Sequence, residues 1–178
     1  MSKTVKKLFF AWQIPQEKAF LEEMARQGYF LTECKFGKYI FEEKEPCEVV
    51  YDFDFQILHK DEEEEYLSLV EGWTYVARYG SWYYFYKDKE LGEPYSIYTN
   101  NESRQAMFRR LLIFLLIVGL PLYINLLVIF PNQPAADFEP FKFYFFFRIL
   151  TVILIFLHTY ALIKVFYAIK RFRASISE

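Results

Sequence analysis

From Val49 to Ile57 apolar and polar side chains alternate, with Val49, Tyr51, Phe53, Phe55 and Ile57 on one side and Val50, Asp52, Asp54 and Gln56 on the other. A period of two predicts a strand with one largely polar face. Upstream, Phe20, Leu21 and Met24 recur at helical spacing; Pro15 suits an early helical position and Gly28 fits the C-terminal cap. Downstream, Tyr66, Leu67 and Val70 mark the apolar side of a second helix. Asp61 stands as its N-cap, Glu64 lies at capping-box spacing and Gly72 closes it. Tyr79-Gly80-Ser81-Trp82 then predicts a hairpin turn between strands Thr74–Tyr79 and Trp82–Tyr86.

These elements repeat. Trp12-Gln13-Ile14 corresponds to Phe55-Gln56-Ile57, Gly28-Tyr29 to Gly72-Trp73, Gly37 to Gly80 and Phe41 to Phe85, at an offset of 43 to 44 residues. Each unit reads strand, helix, strand, strand. The pattern predicts an α+β domain over residues 1–87, built of duplicated βαββ units. They form a mostly antiparallel sheet of about six strands with two helices on one face.

Beyond a linker at 88–106 the periodicity gives way to continuous apolar sequence. Leu111–Phe130 carries no charge over 20 residues, and at about 1.5 Å per residue it reaches roughly 30 Å, the thickness of a hydrocarbon core. A second apolar stretch, Phe143–Tyr167, is uncharged from Ile149 to Ile163 and flanked by Arg148 and Lys164, whose long stems can carry their charges outward. The organisation expected is a two-helix transmembrane hairpin: helix 107–131, extracytoplasmic loop 132–142, helix 143–169 and tail 170–178. Arg104, Arg109 and Arg110 precede the hairpin and Lys170, Arg171 and Arg173 follow it, whereas the loop holds only Lys142 beside Asp137 and Glu139. The positive-inside rule therefore predicts a multi-pass protein of the cell membrane with both termini cytoplasmic. Lys3, Lys6 and Lys7 precede only a short apolar run, stopped by Gln13 and Pro15, and do not read as a signal peptide.

Charge sharpens the division. The overall −2 resolves into 12 Lys+Arg against 20 Asp+Glu from Met1 to Ser103, and 9 against 3 from Arg104 to Glu178. An acidic domain is a poor partner for nucleic acid. The partners expected are the lipid bilayer, another protein and a second copy of the chain. Cys34 and Cys47 lack metal-ligand spacing and stand far in sequence from His59 and His158, so they predict free thiols, with no metal and no cofactor. The run Asp61-Glu62-Glu63-Glu64-Glu65 sits at a helix start, where the dipole favours carboxylates.

Two groups of residues are candidates for binding. The aromatic run around Trp82 and Tyr84 exceeds what one strand face buries, so it either forms an exposed aromatic contact surface or is covered by the helices, the linker 88–103 or a second subunit. Asp52 and Asp54 share the polar side of their strand, where they could meet a cation or a basic peptide or simply face solvent on an exposed sheet face. Within the spans, Pro121 frees the carbonyl of Ile117, and rise along the helices puts His158 near it, roughly 13 Å deep, with Asn125 about 21 Å deep and level with Thr151. Such polar residues join helices, or at His158 could respond to protons. No catalytic residue set emerges.

The segments Glu17–Gly28, Tyr51–Phe55, Gly72-Trp73, Trp82–Phe85 and Ile97–Asn100 resemble the bacterial domain of unknown function 2812 over roughly residues 5–103. The resemblance implies a membrane-anchored accessory protein, often encoded beside PadR-like regulators, and brings no catalytic residues with it. The function expected is a non-enzymatic, membrane-anchored regulatory or sensory module with a cytosolic binding domain. The competing expectation is an accessory subunit of a transporter or envelope complex.

Overall fold

A computed structural model describes residues 2–89, 95–98, 100–132 and 141–174, the side chains of 141–144 and 171–174 excepted. The chain divides into two units, Met1–Met107 and Phe108–Glu178.

The first unit runs β1 (Ser2–Lys6), α1 (Ile14–Arg26), β2 (Tyr29–Lys35), β3 (Lys38–Glu43), β4 (Val49–Phe55), α2 (Lys60–Leu69), β5 (Thr74–Tyr79) and β6 (Trp82–Asp88). The two βαββ units have the same topology. Each makes a three-stranded antiparallel sheet, ordered β1-β3-β2 and β4-β6-β5. Even the irregularities recur: β2 slips register between Leu31 and Glu33, and β5 slips at the equivalent Tyr75 and Ala77. Such bulges bend a strand locally, and their repetition is structural evidence for duplication. Where one sheet of about six strands was expected, the strands divide between two sheets, with β2 lying beside β5.

One core joins both sheets. Leu21, Met24 and Ala25 of α1 pack with Phe30 and Leu31, Phe41, Tyr51 and Phe53, and Tyr84. Helix α1 also closes the free edge of β4, whose Tyr51 amide donates to the Glu22 carboxylate at 3.3 Å; an uncovered edge would invite another strand. Helix α2 lies on the other side of the second sheet, with Tyr66 edge-on to Tyr83 and Phe85. The helices thus use opposite faces of that sheet, because neighbouring β6 residues point opposite ways and Tyr84 belongs to the α1 side. The N-cap of α2 is His59, two residues before the expected Asp61, and its amide donates to Glu62 at 2.8 Å in a capping box.

Helix α3 (Asn101–Ile124) contains Pro121, and the chain then winds into a wider π-helical stretch at Asn125–Ile129. Helix α4 spans Phe141–Ala174. Segments Asn101–Asn132 and Phe145–Lys170 are each long and apolar enough to cross a membrane. The expected loop falls largely on residues 133–140, outside the described residues, as do 175–178 of the tail.

The duplicated glycines Gly28 (φ 82) and Gly72 (φ 75) both take the left-handed region in the turns that follow their helices, yet their surroundings differ. A Cβ at Gly28 would stand 2.8 Å from the Lys44 carbonyl oxygen, whereas one at Gly72 meets nothing within 4 Å. Gly72→Ala should therefore cost about 1 kcal/mol for backbone conformation alone, and Gly28→Ala about 2–3 kcal/mol because main chain must also shift. Urea titration of the purified full-length variants checks the order; equal costs would contradict it.

Candidate functional site

Strand β6 points Trp82 and Tyr84 toward a cavity of about 290 Å³, bounded by the β1–α1 connection, the β2–β3 hairpin and the start of α1. Its volume stands at the low end of the roughly 300–1,000 Å³ typical of small-molecule sites. Phe9, Tyr39 and Tyr79 add aromatic walls, and Glu17 and Cys34 also line it.

Glu17 gives the cavity its polarity. It is 8% exposed, and its Oε1 accepts from the Tyr39 hydroxyl at 2.6 Å and the Tyr84 hydroxyl at 3.0 Å. The Cys34 thiol donates in turn to Tyr84 at 3.7 Å. Oε2 takes none of these bonds, and no cation pairs with Glu17 among the described residues. Burial pushes the carboxyl above its ordinary 4.5, against the lowering effect of the two phenols. Burial likewise lifts the Cys34 thiol to about 11, so it is a proton donor here and not a nucleophile. The Tyr39 and Tyr84 phenols rise too, first through burial and then through Glu17. The arrangement can hold a compact ligand with an apolar body and a hydrogen-bond donor directed at Oε2.

The other sequence candidates separate from this cavity. Asp52 and Asp54 are 2% and 5% exposed, and every residue of β4 is buried, so the expected open polar face does not exist. Lys18 pairs with Asp52 at 3.1 Å and Arg104 stands 3.6 Å from it, while the Ile97 amide donates to it at 3.1 Å. Asp54 accepts from Gln56, Tyr66 and Tyr98 at 2.7, 2.8 and 2.9 Å. Burial, then the charges of Asp54 and Asp52, push the Tyr98 phenol well above its usual value. The chain returning from the second sheet therefore occupies the side that the sequence left open for a ligand. Tyr83 and Phe85 are also buried, and the exposed aromatics of the second sheet are Tyr75 and Tyr79. Among the described residues no cluster of His, Cys, Asp and Glu could hold a metal.

In the second unit His158 joins α4 to α3. Its Nε2 stands 2.8 Å from the Leu115 carbonyl oxygen and its Nδ1 3.1 Å from the Tyr123 hydroxyl, which also meets Thr159 at 2.8 Å. A carbonyl only accepts, so Nε2 carries a proton toward Leu115, while Nδ1 and the Tyr123 hydroxyl share a second hydrogen bond. The carbonyl used is that of Leu115, half a turn before the Ile117 anticipated from Pro121. Gly119 makes this possible, because a Cβ there would overlap the imidazole ring. Asn125 heads the π-helical stretch and makes no side-chain hydrogen bond among the described residues. Thr151, expected at its level, donates to Phe147 of its own helix at 3.0 Å.

Trp82 and Tyr84 were expected on an exposed aromatic surface; Tyr84 is instead buried and Trp82 half-buried, and sequence reasoning did not single out Glu17, Tyr39 or Cys34 beside them. The signal was present at Glu17: it precedes Leu21 and Met24 by four and seven residues, which places a carboxyl on the apolar stripe of α1. Over residues 13–120 the sequence matches the family described as Protein of unknown function (DUF2812). No curated protein and no solved structure matches the chain.

A raised carboxyl pKa means that the folded state holds the proton more tightly than the unfolded state. The stability that this supplies is full below the unfolded value and is lost as pH climbs through the folded one. Glu17→Gln keeps an acceptor for both phenols and removes the ionisation. It should raise Tm relative to the parent at about pH 8 and leave the two nearly equal at about pH 4. Thermal unfolding across that range measures the difference; a constant offset would contradict the assignment.

Proposed function

The chain belongs to the DUF2812 family, and from its own cavity we propose that it is a membrane-anchored regulatory or sensory module whose N-terminal domain binds a small ligand above Glu17. The observation that carries the reading is a buried carboxyl that pairs with no cation among the described residues, at the foot of an aromatic cavity large enough for a small molecule. A group that weakens the fold by its burial is retained where binding uses it. Trp82 and Tyr84 supply walls and a hydrogen-bond relay, and the lifted Cys34 thiol favours binding over covalent chemistry.

The anchoring half of the proposal rests on the two apolar helices and on basic residues gathered at the outer ends of the hairpin. In this reading both termini face the cytoplasm. Reporter fusions after Ser103, between residues 134 and 139, and after Glu178 should read inside, outside and inside. An inside signal from the middle position contradicts the hairpin. The second reading, an accessory subunit of a larger membrane complex, is favoured by Asn125, whose amide finds no partner in its own chain among the described residues and would gain one from a neighbouring helix.

Ligand binding is tested on the purified full chain with indole, benzyl alcohol and benzylamine as probes, read by thermal shift and by Trp fluorescence. A probe present at about one hundred times its Kd should stabilise the domain by about 2.7 kcal/mol. Trp82→Ala and Glu17→Gln should each weaken that effect at least tenfold in Kd, about 1.4 kcal/mol. No shift with any probe, or a shift indifferent to both substitutions, overturns the cavity as the site.

A further inference from the structure

Lys6, Lys38 and Lys35 stand directly opposite one another across β1, β3 and β2. Directly opposed residues share a face, so three ammonium groups line one side of the first sheet at its hairpin end. Like charges placed this way weaken strand pairing. Glu33 pairs with Lys35 at 2.7 Å, while among the described residues Lys6 and Lys38 meet no carboxylate. The Lys7 amide donates to the Gly37 carbonyl at 3.2 Å, which brings Leu8 beside the turn between β2 and β3. At that turn Phe36 is 73% exposed, and Leu8 and Phe10 are exposed near it. A domain with an excess of acidic residues thus carries one basic, apolar-tipped end.

We propose that this end of the first sheet docks on an anionic phospholipid surface. The lysine row meets headgroup charge while Phe36, Leu8 and Phe10 enter the interfacial layer, the pairing of basic and apolar side chains that membrane surfaces select. The inference rests on the membrane-anchored reading, since a tether keeps the bilayer at high effective concentration and lets a small patch bind. Nucleic acid fits less well: exposed Phe and Leu tips have no role against phosphates, and the remaining acidic surface repels them.

The test uses the full chain with Cys47→Ser and Thr4→Cys, labelled with bimane. Thr4 lies beside the lysine row on β1 and is exposed, Cys47 is exposed and Cys34 is buried. The chain is reconstituted into nanodiscs of phosphatidylcholine alone or mixed with phosphatidylglycerol, each carrying a headgroup-level doxyl quencher. Quenching should be strong only with phosphatidylglycerol and fall in high salt. It should drop about fivefold in docked-to-free ratio for each lysine of the row replaced by glutamine. Phe36→Ser should weaken it with the lysines intact. A chain that enters nanodiscs but is unquenched in both lipids overturns docking and leaves anchoring standing; a chain that does not enter them overturns anchoring itself. Quenching equal in both lipids, or a bimane response only to added polyuridylate or polyglutamate, overturns the anionic-lipid assignment.

Discussion

A carboxylate enclosed in protein costs several kcal/mol unless charge and hydrogen bonds meet its oxygens, and β4 encloses two of them. Asp52 and Asp54 alternate with Tyr51, Phe53 and Phe55, so one strand presents an apolar side to the core and a carboxylate side to whatever else can cover it. Donors come from α1 through Lys18, from α2 through Tyr66 and from the returning chain through Ile97 and Tyr98, and α3 adds the charge of Arg104 at 3.6 Å. The elements that close the first unit are the ones that supply these donors. Strand β4 is therefore the place where both halves of the duplication and the following chain are tied together.

Much of this architecture can be read from residue order because local chemistry specifies it. Alternation over Val49–Phe55, the stripe of Phe20, Leu21 and Met24, and the repeated glycines place strands, helix and turns within a few residues of where they lie. The division into two sheets was not legible, because pairing partners depend on bulges that no local pattern announces. Nor was the burial of Asp52 and Asp54, since an alternating strand looks half-exposed until something distant covers it. The cavity was not legible: the aromatic excess at Trp82 and Tyr84 suggested an exposed surface, while the carboxyl beside them comes from a helix far away in sequence and the second phenol from β3. His59 shows a smaller failure of the same kind, since a capping box reads less readily from histidine than from aspartate.

The buried acids differ in how they are satisfied. Asp52 draws on lysine and arginine, and Asp54 on an amide and two phenols, so both are absorbed into the fold. Among the described residues Glu17 meets two phenols, through one oxygen, beside open volume. That contrast separates a structural carboxylate from one available to a ligand, and it is a better guide than the number of acidic residues in a stretch. The five acidic residues from Asp61 to Glu65 illustrate the point: they decorate the start of α2 and gather no metal-binding set among the described residues.

Arg104 belongs to the first turn of α3, which Asn100 caps through its bond from the Ser103 amide at 2.8 Å. Its guanidinium is held by the Ser96 hydroxyl at 2.7 Å and faces Asp52. Fraying of that turn would draw a cation away from an enclosed carboxylate, which adds to the cost of opening it. The first turn of α3 and strand β4 are thus tied together by charge: unwinding that turn takes a cation away from the middle of the sheet.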